Sequence, residues 1–545
     1  MTRNATRLLR EHILNAHQGQ RDNDSSGIPA RIWAMPVGAG WCYNDLAGSQ
    51  HLQLACSGRE LNEPGDDADP DFVEGKTSYS KNGLVGVSWI KANHLHQNSA
   101  YRAGKVAMVL GGTRLRQLVK ESEKRGLSLH TSGSHLGGSI AGVIATSSHG
   151  SRLGYGGVQD QVAGMLLVTG ENRTVWIEPA SDPLLNDDTI AQLGDDVVAI
   201  RDDAMFADAL VHLGAMGIVC AVALKLVPDS GYNVVHTKHI ITREWLDRVA
   251  AGDYRQLSAR LGEDREPCFY ELTLDPRKGA DGQITAFHTF YYPVTAPPTE
   301  SEAIAVPHGA DTFSDFIAAV QAQKTTEGTT WSQLKAHSII DHFDGAQYYE
   351  QNIFNPSQKP PGKVFRWSDM HSDTLSGGVP GALHNASIAV DRGQLPEVFD
   401  RMFEAVEGLK PHFMFTARFV SNAAGTMAFT RFDETAVIEI DGLSRLGYQY
   451  IFSGTVANID TYPVVTEQAI AEVRRAFDDN QVEYSMHWGK LGWWGDAAKA
   501  HADYGPPSDP SSPLSRWRAT RSQLIDPACD GLFRNQGTMD WALLD

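Results

Sequence analysis

Cysteine is scarce in this chain. Five occur in 545 residues, Cys42, Cys56, Cys220, Cys268 and Cys529. The number is odd, the spacing is scattered and no Cys-x-x-Cys pair is present, which excludes a disulfide framework and a zinc or dithiol site of ordinary spacing. Reduced thiols in a cytoplasmic protein are the expected state. Long apolar runs are missing as well. No stretch approaches the roughly 20 residues that cross a bilayer. Met1 to Gln20, with Arg3, Arg7, Arg10 and Glu11, lacks the apolar centre of a signal peptide. It reads instead as an amphipathic helix with Leu8, Leu9, Ile13 and Leu14 turned inward. Basic charge is also deficient: 47 Lys and Arg against 66 Asp and Glu leave a net charge of −19. With no basic run interleaved with aromatics, nucleic acid and anionic membrane surfaces are excluded as partners.

What is present describes a large globular protein. Hydrophobic residues make up 42% of the chain, and its length exceeds one ordinary core, so two domains are expected. Residues 31–42 read as a strand entering a glycine turn, and Asn62 to Asp71 as a polar surface excursion. A strand is expected over Lys105 to Leu110. A helix follows between Thr113 and Gly126, with Leu115, Leu118 and Val119 on one face. Met165–Val168 and Thr174–Ile177 flank Gly170-Glu171-Asn172 as a hairpin. A helix over Ala204 to Leu213 and a strand over Ile218 to Leu226 complete the first part.

The texture changes near Tyr232. Helices are expected over Trp245–Leu261, Phe313–Gln323, Leu395–Val406 and Val465–Phe477. Strands are expected over Phe269–Leu274, Ile284–Tyr292, Phe413–Val420, Ala436–Ile440 and Val482–His487, with loops over 297–307 and 355–361. A sheet with helices on one face is an α+β arrangement. No internal repeat is present.

The most informative segment joins Ser132-Gly133-Ser134 to Ala141-Gly142-Val143-Ile144-Ala145-Thr146-Ser147-Ser148-His149-Gly150-Ser151. Small residues let the backbone approach a ligand closely, and hydroxyls with free N–H groups hold phosphate oxygens. Upstream stands Met35-Pro36-Val37-Gly38-Ala39-Gly40-Trp41-Cys42-Tyr43. Downstream stand Leu213-Gly214-Ala215-Met216-Gly217-Ile218-Val219, His487-Trp488-Gly489-Lys490, and Asp526-Pro527 with Gly531-Leu532-Phe533-Arg534-Asn535. A Rossmann GxGxxG loop does not fit, because Tyr43 stands in the third glycine's place.

Taken in order, these five segments resemble the vanillyl-alcohol-oxidase-type FAD family, nearest its sugar-lactone and alditol oxidising branch. Between Tyr232 and Gly381 only order and length support the likeness. The resemblance implies an α+β protein with a two-subdomain PCMH-type FAD-binding domain over residues 1–230. An α+β cap with a mixed or antiparallel sheet would follow over 231–480, and a C-terminal segment over 481–545 would return to complete the active site. It implies FAD contacts from Val37, Gly38, Ala39, Gly40, Trp41, Cys42, Gly133, Ser134, Gly142, Thr146, Ser148, His149, Gly150, Ser151, Gly217, Ile218 and Lys490.

Two departures from the family pattern bear on chemistry. Many relatives carry a flavin-linking histidine where this chain has Trp41, so dissociable FAD is expected, with a Cys42 thioether as the alternative. Relatives also often show Glu-x-Arg where this chain has Thr416-Ala417-Arg418. Residues i and i+2 of a strand share a face, but threonine cannot act as a base. Alcohol oxidation removes a hydride to flavin N5 and a proton to an acceptor. His487 is the first candidate for that acceptor and Glu439 the second. Lys490 and Arg418 offer fixed charge against a ring that becomes anionic. The expected function is FAD-dependent oxidation of a CH–OH group in a sugar lactone, polyol or related small alcohol, with oxygen or another acceptor. The same fold acting on an amine, phenolic or sterol-like alcohol, and a flavoprotein without turnover, stand as alternatives.

Overall fold

The computed structural model describes residues 1–26, 35–37, 53–55, 84–133, 136–295, 346, 350, 363–368, 383–421, 423–443, 464–493 and 495–544. The expected helix Phe313–Gln323, the excursion at 62–71 and the loops at 297–307 and 355–361 lie outside them.

The first part contains strands β1 (Met35–Val37), β2 (Gln53–Ala55), β3 (Val87–Trp89), β4 (Val106–Leu110), β5 (Leu127–Ser128), β6 (Val162–Gly170), β7 (Arg173–Glu178), β8 (Val197–Arg201), β9 (Ile218–Lys225) and β10 (Val227–Pro228). Six of them form one sheet in the order β3-β4-β9-β6-β7-β8, antiparallel except for β7 and β8. Strand β6 is buried along its whole length, so it is apolar on both faces rather than alternating. Met165 and Leu167 face one core with helices α2 (Leu115–Glu123), α3 (Ile140–Ala145) and α5 (Asp203–Leu210). Between α3 and α5 lies the short α4 (Asp187–Ala191). Leu166 and Val168 face the other core, under α1 (Thr2–Ser25). The α1 stripe that packs there is Ala5, Leu9, Ile13 and Ala16. Leu14, expected inward, is 45% exposed; it lies one residue, about 100° of helix, off the stripe set by Leu9 and Ile13.

The second part is a fully antiparallel seven-stranded sheet. Its strands are β11 (Gly231–Ile241), β12 (Phe269–Lys278), β13 (Ile284–Val294), β14 (Leu383–Asp391), β15 (Phe413–Ser421), β16 (Glu434–Leu443) and β17 (Tyr484–Met486). They lie in the order β11-β13-β12-β15-β16-β14-β17. The single helix expected over Trp245–Leu261 is two, α6 (Arg243–Ala251) and α7 (Tyr254–Arg260). Gly252 stops the first in the left-handed region, at φ +76°, which glycine adopts without a Cβ penalty. Helices α6, α8 (Leu395–Ala405) and α9 (Val465–Asp479) supply Leu246, Val249, Phe399, Met402, Ile470 and Val473 to an apolar face that includes Leu272, Phe415, Ala417, Ile438 and Ile440.

Alternation along the strands puts Glu271, Thr273, Asn385, Ser387, Thr416, Arg418, Glu439 and Asp441 on the opposite face. The expected strand over Val482–His487 is shorter, and β17 pairs with β14 inside this second sheet. After it come α10 (Ala497–Tyr504), α11 (Pro513–Leu524) and α12 (Gln536–Asp540). Helix α11 returns to the first part: Trp517 Nε1 donates to the Val211 carbonyl at 3.1 Å and the Thr520 hydroxyl to Asp208 at 2.6 Å. Among the described residues no helix is long and apolar enough to cross a membrane.

Candidate functional site

The small-residue loop of the first part is built by close backbone packing. A Cβ on Gly150 would lie 2.6 Å from the Ser132 carbonyl oxygen and 2.7 Å from Thr131 Oγ1, so only glycine lets the 131–133 and 146–150 strips lie back to back. Thr131 Oγ1 is buried without a hydrogen-bond partner, an unmet polar group that a bound ligand's phosphate or ring edge would satisfy. Thr169 Oγ1, in the strand beside Gly217, is in the same state. The Ser148 amide donates to Val143 O at 2.9 Å and its carbonyl accepts from Val158 N at 2.8 Å, so its backbone is held within the loop. Thr146 Oγ1 donates to Gly142 O at 3.1 Å. A cradle of this kind, with small residues and unpaired hydroxyls, fits a dinucleotide.

Several expected FAD contacts have other surroundings. The Ser151 hydroxyl donates to the Tyr270 carbonyl and accepts the Phe419 amide at 2.9 Å, so it faces the second sheet rather than a ligand. The Ile218 side chain lies in the core under α1, leaving only its backbone for a ligand. Gly217 lies in the turn before β9, against the Val168 carbonyl. Gly142 is inside α3, and Gly133 lies beside the His149 carbonyl. Gly38, Ala39, Gly40, Trp41, Cys42 and Ser134 lie outside the described residues, and Val37 is described only as the end of β1.

The polar face of the second sheet carries a charged cluster. Register pairs Glu271 with Arg418, Thr273 with Thr416, Thr416 with Glu439, and Glu439 with Ser387. Arg418 is 5% exposed and Glu439 1% exposed. Arg418 Nε donates to Glu271 Oε2 at 2.8 Å, and its Nη1 lies 2.9 Å from Glu439 Oε2. Lys490 Nζ donates to Glu439 Oε1 at 2.6 Å, and Ser387 Oγ donates to the same oxygen at 3.2 Å. Burial alone pushes the Glu439 carboxyl up, but Arg418 and Lys490 outweigh it and hold the group well below the usual carboxylate range. Burial tends to lower the Arg418 pKa, yet Glu439 and Glu271 together raise it.

Asp441 sits two residues beyond Glu439 on the same face and accepts from Asn385 Nδ2. Burial, then the Glu439 charge, push its carboxyl up to about 8. Thr416 makes a 3.2 Å hydrogen bond with Thr273. Glu271, Asp441 and Asn385 were not singled out from sequence. Each is a polar residue in an alternating strand, but nothing local says which strand lies beside it.

Two histidines sit where the parts meet. His149 Nδ1 donates to the Gly150 carbonyl at 3.0 Å, which assigns the lone pair to Nε2. His487 is assigned the other tautomer: its Nδ1 accepts the Gly489 amide at 3.0 Å, leaving the proton on Nε2. Their ring centroids are 6.2 Å apart, and both rings pack on Phe429. Burial pushes His149 down to about 4, and burial with Lys490 and His149 holds His487 well below its usual value, so both rings are neutral at pH 7. Trp488 points away from His487 into a stack with Trp493, 4.6 Å between centroids, beside Trp541 and Tyr504. Trp493 Nε1 fixes the His487 carbonyl at 3.1 Å.

Comparison with known proteins adds a sequence match over part of the chain and a likeness in fold. A family described as "FAD binding domain" matches residues 72–178. Over that stretch the chain is similar to an FAD-binding family. A D-arabinono-1,4-lactone oxidase of Yarrowia lipolytica is 28% identical over 151 residues, 27% of this chain and 24% of that protein. L-gulonolactone oxidase 3 of Arabidopsis thaliana is 33% identical over 117 residues, 21% of this chain and 18% of that protein. The match thus spans about a quarter or less of the length of these relatives. In fold, the chain is similar to a cholesterol oxidase of Brevibacterium sterolicum, with TM-score 0.58 and 14% identity over 94% of this chain and 90% of that one. It is also similar to a VAO-type flavoprotein of Myceliophthora thermophila C1, with TM-score 0.52 and 11% identity over 95% and 76%. An FAD-binding domain in this PCMH-type α+β fold is what the sequence resemblance implied.

Proposed function

We propose that this chain is an FAD-dependent oxidoreductase that oxidises a CH–OH group in a small polar alcohol, a sugar lactone, polyol or related compound. Oxygen or another acceptor would reoxidise the flavin. One observation carries the reading: the buried Arg418–Glu439–Lys490 cluster, on the polar face of the second sheet, is joined by the His487–Lys490 turn to His149 of the small-residue loop, whose ring lies 6.2 Å from that of His487. The likeness to lactone oxidases favours a lactone within that class. We take residues 1–230 as the cofactor domain, 231–480 as the cap and 481–545 as the segment that completes the site, working in the cytoplasm.

Residues 131–133, 142–150 and 217 would hold FAD, and the bound group supplies the hydride acceptor at N5. The protein must then orient the hydroxyl, stabilise its developing negative charge and take its proton. Arg418 and Lys490 supply the positive charge, fixed in advance by Glu439 and Glu271 so that nothing reorganises during the reaction. Glu439 is a poor proton acceptor, because Arg418 and Lys490 favour its ionised form: Oε1 accepts from Lys490 and Ser387, and Oε2 is ion-paired with Arg418 at 2.9 Å. His487 offers Nε2–H, a donor that suits a substrate oxygen better than a proton. His149 offers a neutral Nε2 lone pair beside the cluster, and we assign it the acceptor role. Glu439 thus returns to the wall, from the neighbouring strand, the carboxylate that Thr416 lacks.

The test is anaerobic bleaching of the flavin by a panel of lactones, polyols, phenolic alcohols, sterols and amines, with His149→Gln and His487→Gln alongside. The expected result is bleaching by a lactone or polyol, lost about 10²-fold or more in His149→Gln with FAD retained. An equal rate in His149→Gln, with a large loss only in His487→Gln, would move the acceptor role to His487. Bleaching only by a sterol, phenolic alcohol or amine would support the alternative suggested by Thr416. We also propose that FAD is held without a covalent bond, since Trp41 stands where relatives carry the linking histidine. Flavin colour that stays in the pellet after acid precipitation would overturn this.

A further inference from the structure

We propose that Ser151 is a positioning residue that registers Arg418 against the cofactor loop; only its kinetic readout rests on the function proposed above. Strands β12 and β15 pair from Leu274–Phe415 to Glu271–Arg418, and the ladder stops there. The next pair would be Tyr270 with Phe419. At that point the Ser151 hydroxyl stands between the strands, donating to Tyr270 O and accepting from Phe419 N at 2.9 Å. It replaces the missing ladder bond, and the residue is 0% exposed.

Neighbouring contacts make the same junction. The Tyr270 amide donates to Ser151 O at 3.4 Å and the Leu153 amide to Cys268 O at 3.0 Å, and Arg152 bridges to Phe269. On its other side Ser151 continues from Gly150, packed on Ser132, and His149, whose carbonyl lies beside Gly133. One hydroxyl therefore ties the loop that would face the flavin to the strands carrying Glu271 and Arg418. Without it, a buried N–H and a buried C=O lose this partner, and β15, although still paired with β16 as far as Ser421, is no longer pinned to the loop on its β12 side and can shift by fractions of an ångström. A misplacement of about 1 Å at a reacting centre lowers rates up to about 10²-fold.

The experiment uses the full-length holoprotein with Ser151→Ala, Ser151→Cys, Arg418→Ala and the Ser151→Ala/Arg418→Ala double variant. Ser151→Ala is expected to keep one FAD per chain and to reduce its flavin about 10- to 100-fold more slowly, with Ser151→Cys intermediate. In the Arg418→Ala background the same substitution has no further effect, because its action runs through Arg418. Hydrogen exchange accelerates in peptides covering 269–275 and 413–421. Loss of FAD from Ser151→Ala would make the residue a cofactor ligand and overturn the proposal. So would additive rate losses in the double variant, or unchanged exchange in both peptides. If no substrate reduces the wild-type flavin, the function reading fails, and FAD content with exchange still decides this one.

Discussion

Replacing Glu439 by Gln tests the electrostatic design of the site. The substitution keeps shape and removes the charge that bridges Lys490 Nζ at 2.6 Å and Arg418 Nη1 at 2.9 Å. A pair of unit charges about 4 Å apart interacts by about 4 kcal/mol at an effective dielectric of about 20. Two such attractions are lost, while the desolvation cost of a buried carboxylate, several kcal/mol, is relieved. Breaking a buried pair by removing one partner typically destabilises by about 3 to 5 kcal/mol. The lower end is expected here, because Asp441 is held protonated partly by the Glu439 charge and ionises more readily once that charge is gone. The assay is urea unfolding followed by tryptophan fluorescence, which reads Trp488 and Trp493 behind the cluster, at pH values from 4 to 8.

The sign of the pH dependence follows from the direction of the shift. A carboxyl whose folded pKa is depressed contributes fully above its unfolded value, about 4.3, and loses that contribution as pH falls toward the folded one. In an Asp441→Asn background, where residue 441 does not titrate, the gap is set by Glu439 alone: between Asp441→Asn and Glu439→Gln/Asp441→Asn it is flat from pH 6 to 8 and narrows on acidification below about 4.3. In the Glu439→Gln/Asp441→Asn double variant the compensating charge is gone, so Glu439→Gln costs more there than it does beside an intact Asp441. In the Asp441→Asn background, a gap under about 1 kcal/mol at pH 7, or one that widens toward acid, would refute the reasoning.

Asp441→Asn alone is expected to act in the opposite sense. Its folded pKa is raised to about 8, so the native carboxyl becomes a liability as pH rises from the unfolded value, about 3.9, toward 8. The variant should match wild type near pH 4 and exceed it in unfolding midpoint at pH 9; equal midpoints throughout would contradict the shift. Gly150→Ala places a methyl 2.6 Å from the Ser132 carbonyl oxygen. FAD affinity measured by fluorescence titration should fall at least about tenfold, that is by about 1.4 kcal/mol, with secondary structure unchanged by circular dichroism. An unchanged affinity would remove this loop from the cofactor site.

Much of this protein was legible because the deciding interactions are local. The apolar period of α2, the Gly-Glu-Asn turn between β6 and β7, and the alternation along β15 and β16 are set within a few residues of chain. The small residues around Gly150 likewise announce a close backbone approach whatever the fold around them. Where the chain turned back on itself, sequence reading was less complete. Period 2 says that Thr416 shares a face with Arg418, but it does not name the strand that lies beside them. Only the register of β15 with β16 and β12 brings Glu439 and Glu271 onto Arg418, Lys490 onto Glu439 from a separate segment, and Asp441 beside Asn385. The same holds for Ser151, whose composition suits a cofactor loop and whose hydroxyl nevertheless bridges two strands more than 100 residues away in sequence. Histidine tautomers are also a tertiary outcome, since they depend on which backbone group meets Nδ1. The sequence determined the elements, the polar and apolar faces and the kind of cofactor loop, because those follow from neighbours along the chain. The tertiary structure decided which charges neutralise one another and which ring nitrogen is open, because desolvation and pairing depend on distances that exist only after the sheets have assembled.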